Sequence, residues 1–263
     1  MRKYLELFKV QIAIYFVYRL SFILWRVRNV LNLLIIYFLW NSVYEYKKII
    51  FAYSKEEMLT YILFASIMSA IVLASRTTDI ASEIVSGAII NYLTKPLSFF
   101  STILSREFAD KILNGFFSII EFVLFIIFLR PPFFIQENLM VYPLVILAVI
   151  IGAAITFFIS FSLSLIAFWT AEIWAPRFIY FILITTLAGT AFPLDILPQK
   201  FYELILITPF AYLVYFPAKI YLEGITEQTV PLLLIGALWT VILYFATRII
   251  WNKGMREFSF FGR

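Results

Sequence analysis

Residues 82–100, SEIVSGAIINYLTKPLSFF, connect two long hydrophobic segments and decide how the rest of the chain is interpreted. Apolar residues in and just before this stretch recur at three- to five-residue spacing, which places them on one face of a helix. Pro96 disfavours helical backbone at Lys95 and ends the segment. The pattern predicts an amphipathic helix in one connection of a membrane protein. Its apolar face consists of Ile80, Ile84, Ala88 and Ile89.

Acidic residues occupy the early turns of this predicted helix. Asp79 and Glu83 lie where a carboxylate complements the helix dipole, and no basic residue lies between Arg76 and Lys95. A helix that only rests on an anionic leaflet favours Lys and Arg on its polar face. Two interpretations stay open on these residues: docking to a soluble protein partner, or packing against the membrane.

The composition indicates a chain that is mostly surrounded by lipid. Of its 263 residues, 63% are hydrophobic and 14% are charged, and the mean hydropathy is +0.95. Soluble domains carry about 25% charged residues. The chain has no cysteine and no histidine, so it lacks thiolate ligands and the commonest general base. It also has no G-x4-G-K-S/T phosphate-binding loop, so energy from ATP must come from another chain.

Six segments are predicted to span the membrane in one domain that covers residues 1–263. Because a span needs about 17–25 residues, the first and fifth segments are short. Residues 1–28 are predicted to form an amphipathic helix in the headgroup region; the alternative is a first span that carries Arg19 into hydrocarbon. The predicted spans are residues 29–45, 57–75, 112–129, 142–169, 177–192 and 230–250.

Charge asymmetry predicts the orientation. Residues 1–28, 76–111, 170–177 and 248–263 hold 15 of the 21 Lys and Arg residues, and the segments on the other side hold six. By the positive-inside rule, both termini are cytoplasmic. Membrane orientation accounts for the net charge of +5, so no nucleic-acid partner is expected.

The order of these elements resembles the membrane subunit of type-2 ABC exporters, the permease class that works with a separate ATPase. An interfacial helix and two spans precede a short cytoplasmic helix, and four more spans follow. The stretch EIVSGAIINYLTKPLS is similar to the cytoplasmic signature of that family. The matching residues are Glu83, Gly87, Leu93, Lys95, Pro96 and Leu97.

The resemblance implies a role for the connection of residues 76–111. In the family this region forms a coupling helix that sits in a cleft of the ATPase, so the six matching residues and Asp79, Ile80 and Ile84 are expected to carry ATPase coupling. The partner ATPase binds ATP and Mg, and this chain needs no cofactor or metal of its own. A second permease copy or a homologous permease completes the transporter, in a bacterial or archaeal plasma membrane.

Glu121 is the charged residue that lies well inside a predicted span. An ionisable group inside the membrane is a candidate for function, so Glu121 is a candidate for the translocation path. The alternative is a polar contact between helices.

The external segment of residues 193–224 is apolar but rich in proline, which disrupts continuous helix. We predict that it dips into the outer leaflet and returns, with its broken backbone buried against protein. By the family resemblance it caps the pathway, and Pro193, Asp195 and Pro198 mark its gate. The alternative is an additional pair of kinked spans.

These features favour the permease subunit of an ATP-driven exporter that moves an amphipathic small molecule, drug or peptide by alternating access at a dimer interface. A permease that exports or flips lipids or glycan-lipids is an alternative, as is a membrane sensor or assembly protein. An intramembrane enzyme is disfavoured because the predicted spans contain no Asp, His or Cys.

Overall fold

The computed structural model describes residues 2–94 and 98–258, and most of these residues are helical. The predicted all-α polytopic membrane fold is confirmed. One two-stranded hairpin, β1 (Ile49–Ile50) and β2 (Tyr53–Ser54), interrupts the helices. In chain order the helices are α1 (Arg2–Val17), α2 (Arg19–Val43), α3 (Lys55–Met68), α4 (Thr78–Val85), α5 (Ile90–Leu93), α6 (Phe99–Leu129), α7 (Val141–Leu165), α8 (Trp174–Leu187), α9 (Gln199–Ile207), α10 (Tyr215–Glu223) and α11 (Thr229–Glu257).

Five helical segments in the described part of the chain are long and apolar enough to cross a bilayer. They comprise α2, α3 with its continuation, α6, α7 with its continuation, and α11. The fifth predicted span corresponds to α8, which is apolar but has 14 residues. At 1.5 Å per residue α8 is about 21 Å long, shorter than a hydrocarbon core of about 30 Å.

The helix break lies at Tyr18, and not at residues 28 and 29, where the boundary between an interfacial helix and a first span is predicted. The φ and ψ of Tyr18, −95° and 36°, are not helical, and α2 runs without interruption from Arg19. Arg26 therefore lies inside this candidate span, where a charged side chain is normally unfavourable. The position of α1 in the headgroup region remains a prediction.

The hairpin places the start of α3. Phe51 and Ala52 both have positive φ, as a tight two-residue turn requires. The Ser54 hydroxyl accepts a hydrogen bond from the Glu57 amide at 3.2 Å, and the Glu57 carboxylate accepts one from the Ser54 amide at 2.8 Å. This capping box begins α3 directly after the hairpin.

Two apolar clusters lie at opposite ends of the helical bundle. The larger one extends to the hairpin end, which we define by residues 49–54 and 188–223, and it includes the fully buried Tyr61 and Tyr215. The smaller one lies at the α4 end, which we define by α4, α5, the start of α6, the 3₁₀ segment Ile166–Phe168 and the end of α11.

The predicted re-entrant segment of residues 193–224 consists of short pieces. Two 3₁₀ turns, Leu194–Ile196 and Pro209–Tyr212, alternate with α9 and α10. Each of these two helices has nine residues, or about 14 Å, so neither can cross a bilayer, and the alternative of an additional span pair is not supported. Most of α10 is buried against other helices. How deeply the segment enters the outer leaflet remains a prediction.

Candidate functional site

The candidate site is built on α4, which has one buried and one exposed face. Ile80, Ala81 and Ile84 are buried in the cluster at the α4 end, where α7 contributes aromatic and aliphatic side chains. Asp79 and Val85 are exposed on the other side. The short helix is therefore anchored to the bundle while it presents a surface of its own.

The predicted helix does not continue to Lys95. It ends at Val85, and Gly87 adopts a left-handed φ of 74° before α5 begins at Ile90. Only glycine takes this conformation without strain, which explains its place in the stretch. A Cβ at Gly87 meets no heavy atom within 4 Å, so the turn itself is open to solvent or to a partner.

Glu83 is held by residues of its own chain. Its Oε1 accepts a hydrogen bond from Arg106 Nη1 at 2.9 Å and one from the Tyr92 hydroxyl at 3.1 Å. Arg106 also donates to the Tyr92 hydroxyl. Burial raises the pKa of the Tyr92 phenol, Arg106 lowers it and the Glu83 carboxylate raises it, and the net shift is upward, so the phenol stays a donor. The ion pair joins α4 to α6 across the α5 turn.

Arg76 joins α1, α4 and α6. Its Nε donates to the Tyr15 hydroxyl at 3.0 Å and lies 3.3 Å from Oδ1 of the buried Asp110, while its Nη1 lies 3.7 Å from Asp79 Oδ2. The Arg76 amide and the Ser75 hydroxyl both donate to Glu107 Oε2, at 3.1 and 3.0 Å. The segment before α4 is thus bonded to two carboxylates of α6.

The carboxyl-terminal end of the second span, after α3, is capped by Lys111 of α6, the third span. A π-helical segment, Ser69–Leu73, follows α3 and leaves backbone carbonyls without helical partners. Lys111 Nζ donates to the carbonyls of Ile71, Val72 and Ala74 at 3.2, 3.1 and 2.8 Å, and it pairs with Glu107 at 3.2 Å. This contact fixes the spans on both sides of the connection to each other.

Two further spans are bonded to α4, which the sequence did not indicate. The Ser164 hydroxyl of α7 donates to the Thr77 carbonyl at 2.7 Å, and Arg177 of α8 donates to the Thr78 carbonyl at 2.7 Å. In the sequence, the connection adjoins spans two and three. In the structure α4 is bonded or packed to spans three, four and five.

Glu121 is paired with Arg26 of α2. Both carboxylate oxygens are engaged at 2.6 Å, one by Arg26 Nε and one by Nη2. The remaining donors of the guanidinium reach Asn114 Oδ1 at 3.3 Å and Ser118 Oγ at 3.0 Å. The expectation that Glu121 is the charge inside the spans is therefore corrected: Arg26 accompanies it. The ion pair provides the contact between helices that was the alternative, and a role in translocation remains a prediction.

Asp195 is bonded to Tyr53 and Lys219 at the hairpin end. The Tyr53 hydroxyl donates to Asp195 Oδ2 at 2.7 Å, and Lys219 Nζ lies 2.5 Å from the same oxygen. Burial and then the Asp195 carboxylate raise the pKa of Tyr53, so it remains protonated. Burial lowers the pKa of Lys219, but the contacts with Asp195 and Glu223 outweigh it and the net shift is upward.

The two prolines predicted at the external gate differ in environment. Pro193 is buried and precedes the 3₁₀ turn that carries Asp195, whereas Pro198 is exposed and precedes α9. Of the predicted coupling residues, Lys95, Pro96 and Leu97 lie outside the described residues, as does the side chain of Leu93. In the described part of the chain no group of acidic residues is arranged to hold a metal ion.

Comparison with known families accounts for most of the chain. The family model described as ABC-2 family transporter protein matches residues 30–262. The match begins within α2 and includes every later element. No curated protein sequence matches the chain.

Proposed function

The chain belongs to the ABC-2 family of transporter proteins, and we propose that it is the permease subunit of an ATP-driven exporter. A separate ATPase binds ATP and Mg and docks on α4. Two permease subunits, identical or homologous, move an amphipathic small molecule, drug or peptide outward between them. The α4 end is the cytoplasmic side, as the excess of Lys and Arg at this end favours.

The observation that supports this proposal is the way α4 is attached. Its inner face is packed on α7, and its ends are bonded to α6 and α8 through Glu83, Thr78 and their partners. Its outer face carries Asp79, whose side chain is exposed and lies 3.7 Å from Arg76. A helix with these properties transmits a displacement imposed by a docked partner to three spans at once, because well-packed interfaces do not deform continuously.

A second permease copy is expected at α8. Among its fourteen residues only Ile184 is buried, and Trp174, Phe178 and Phe181 are exposed. Since α8 is too short to cross the bilayer alone, contact with another subunit covers it better than lipid does. The bond between Arg177 and the start of α4 then links the coupling helix to the subunit interface.

The decisive experiment is co-purification of the chain with a partner ATPase, followed by substrate-stimulated ATP hydrolysis and transport in liposomes. The sharpest substitution is Asp79→Lys, because Asp79 is exposed and its contact with Arg76 is long, at 3.7 Å, whereas changing Glu83 breaks an internal ion pair of 2.9 Å. Glu172→Lys is the matched control, since Glu172 is an exposed acid in the loop between α7 and α8.

We expect Asp79→Lys to weaken ATPase binding at least about tenfold and to abolish stimulated hydrolysis, because a reversed charge at a docking face is repelled. Glu172→Lys should retain both activities. Unchanged ATPase binding in Asp79→Lys would contradict docking on α4. ATPase binding without transport of any amphipathic compound would favour a sensor or assembly role.

A further inference from the structure

A cavity of about 180 Å³ lies at the α4 end, where the last turns of α11 meet α7 and the start of α6. Its aromatic walls are packed on each other. The Phe99 ring stacks on Trp251 with 4.7 Å between the ring centroids, and the buried Phe161 contacts both rings. The hydroxyl of Thr247, which also lines the cavity, is bonded within the chain and lies 2.8 Å from Ser162 Oγ. The walls are therefore formed without a ligand.

Three residues with hydrogen-bond donors line this cavity from α11. Tyr244, Arg248 and Trp251 are at positions i, i+4 and i+7, so they share one face of the helix. Within the described part of the chain, none of the three side chains donates a hydrogen bond or forms an ion pair. Arginines that bridge elements elsewhere, such as Arg26 and Arg106, are bonded to carboxylates. A phosphate group, which offers several acceptor oxygens and a negative charge, matches this set of unused donors.

The charges around the cavity favour an anion. Among the described residues, Arg248 is the only charged one in its lining. Residues 248–257 hold three basic residues and one acidic residue, Glu257, which lies nine positions beyond Arg248. Glu107 of α6 is paired with Lys111 at 3.2 Å, and α7 contains no charged residue. The lining thus has a net charge of +1, and no carboxylate neutralises it.

Arg248 lies at the depth of a lipid headgroup. It is 19 residues from Thr229 at the other end of α11, or about 28 Å, close to a hydrocarbon thickness of about 30 Å. Val241 and Phe245 precede Arg248 by seven and three residues, so they lie on the same side of α11 toward the membrane interior, and both are exposed. A headgroup at Arg248 leaves its acyl chains against these two residues.

The size of the cavity favours a lipid over a soluble ligand. Sites that enclose a small molecule measure about 300–1,000 Å³, and this cavity is smaller. A lipid needs to insert its headgroup alone, because its chains remain in the bilayer.

We propose that this cavity binds the phosphate of an anionic phospholipid of the inner leaflet, with Arg248 as the ionic partner and Tyr244 and Trp251 as further donors. The inner leaflet is where anionic lipids attract basic segments. The bound lipid joins the end of α11 to the start of α6. This inference shares with the proposed function the cytoplasmic side of the α4 end, but lipid binding needs neither the ATPase nor transport.

The test uses the full chain in a neutral detergent without ATPase. Phosphatidylglycerol and phosphatidylcholine with the same acyl chains are added separately, and bound lipid is counted by native mass spectrometry. We expect phosphatidylglycerol to occupy the tightest site with about fivefold higher affinity, because it carries a net negative charge beside Arg248.

Three substitutions localise the site. Arg248→Gln should weaken phosphatidylglycerol binding about tenfold, since it removes a charged hydrogen bond, and Tyr244→Phe about threefold. Arg256→Gln is the matched control, because Arg256 is exposed on the same helix and does not line the cavity. Phosphatidylglycerol should raise the unfolding temperature of the wild type and of Arg256→Gln but not of Arg248→Gln. Without lipid, the three variants should elute as monodisperse protein.

Equal affinity for the two lipids, or unchanged phosphatidylglycerol binding in Arg248→Gln, would overturn the site. An equal loss in Arg256→Gln would also overturn it, because it indicates a diffuse attraction to the end of α11. Displacement of phosphatidylglycerol by inorganic phosphate would contradict a lipid site in favour of a free anion. Lipid binding with the expected pattern but without ATPase docking supports the site and contradicts the proposed function. Docking and transport without the tight lipid support the proposed function and contradict the site.

Discussion

Both ends of the bundle contain an ion pair, but their turns differ in packing, because Gly189 at the hairpin end is closely surrounded and Gly87 at the α4 end is not. At the hairpin end, Tyr61 and Tyr215 are fully buried, and Gly189 lies in contact with both side chains. At the α4 end, α4 is packed on α7, charged side chains also bridge between elements, and residues of α1, α2 and α6 line a cavity of about 520 Å³. Close packing permits little rearrangement, whereas ion pairs and hydrogen bonds can exchange partners. We infer that the hairpin end is the rigid part and the α4 end the movable one.

The largest effect is expected from Gly189→Ala at the hairpin end. A Cβ there lies 2.7 Å from the Tyr215 Cβ and 2.7 Å from the Tyr61 hydroxyl, at a φ of 73°. Overpacking and left-handed backbone together cost about 4 kcal/mol. Gly87→Ala is the matched control at the α4 end: its φ of 74° is the same but its space is open, so about 1–2 kcal/mol is expected.

Thermal unfolding in detergent, followed by the loss of monodisperse protein, measures both glycine variants. A similar decrease of the unfolding temperature in both would contradict the proposed difference in packing between the ends.

The second effect concerns the ion pair between the ends. Arg26→Met leaves the Glu121 carboxylate without its bidentate partner inside the membrane, which should lower stability by about 3 kcal/mol. The double variant Arg26→Met/Glu121→Leu should recover most of that loss, because it removes both charges. The double-mutant cycle is read from unfolding temperatures. If the double variant is as unstable as the single variant, the pair is not the source of the stabilisation.

A third, smaller effect is expected at Lys219. Lys219→Met removes a charged hydrogen bond to Asp195 and should lower stability by about 2 kcal/mol. Because the pKa of Lys219 is raised in the folded chain, its stabilisation is complete below the unfolded pKa of about 10.4 and is lost only as the pH rises through the folded value. The difference in unfolding temperature between wild type and Lys219→Met should therefore stay constant from about pH 7 to 9. A difference that disappears within this window would contradict a charged Lys219.

The smallest effect is expected from Tyr92→Phe. The substitution removes one hydroxyl from the Glu83–Arg106 pair and keeps the ring against Phe99, so stability should fall by about 1 kcal/mol. If the α4 end is the movable part, the rate of stimulated ATP hydrolysis should fall at a temperature where the Tyr92→Phe variant is still fully folded. Tyr53→Phe, which removes a hydroxyl from Asp195, serves as the control and should change stability alone.

Five of the six predicted spans correspond to full-length helices because the signal of a long apolar run is local. The proline-rich run likewise predicted the broken segment after α8, but neither the start of α2 at Arg19 nor the shortness of α8 was predicted. Gly87 was noted for its family resemblance, although its role in a left-handed turn follows from glycine chemistry alone. The prediction of a single helix through Gly87 was wrong, because the spacing of apolar residues gives no information about a change of backbone direction.

The position of Arg26 could not be found from local pattern. Its partner lies 95 residues away, and the cost of a charge in hydrocarbon argued for an interfacial helix. One signal was present: Asn114, Ser118 and Glu121 recur at helical spacing on one face of the third span. A polar stripe in a span needs a partner, and Arg26 is the partner that the structure provides.

The hydrogen bond between Arg76 and Tyr15 ties the first helix to the connection before α4. The guanidinium also lies 4.6 Å from the centre of the Tyr15 ring, so α1 cannot slide along α6 without losing both contacts. The sixteen residues of α1 are therefore attached to the same connection as α4. We therefore expect a displacement of α4 to reach the amino-terminal helix through the Arg76–Tyr15 contact.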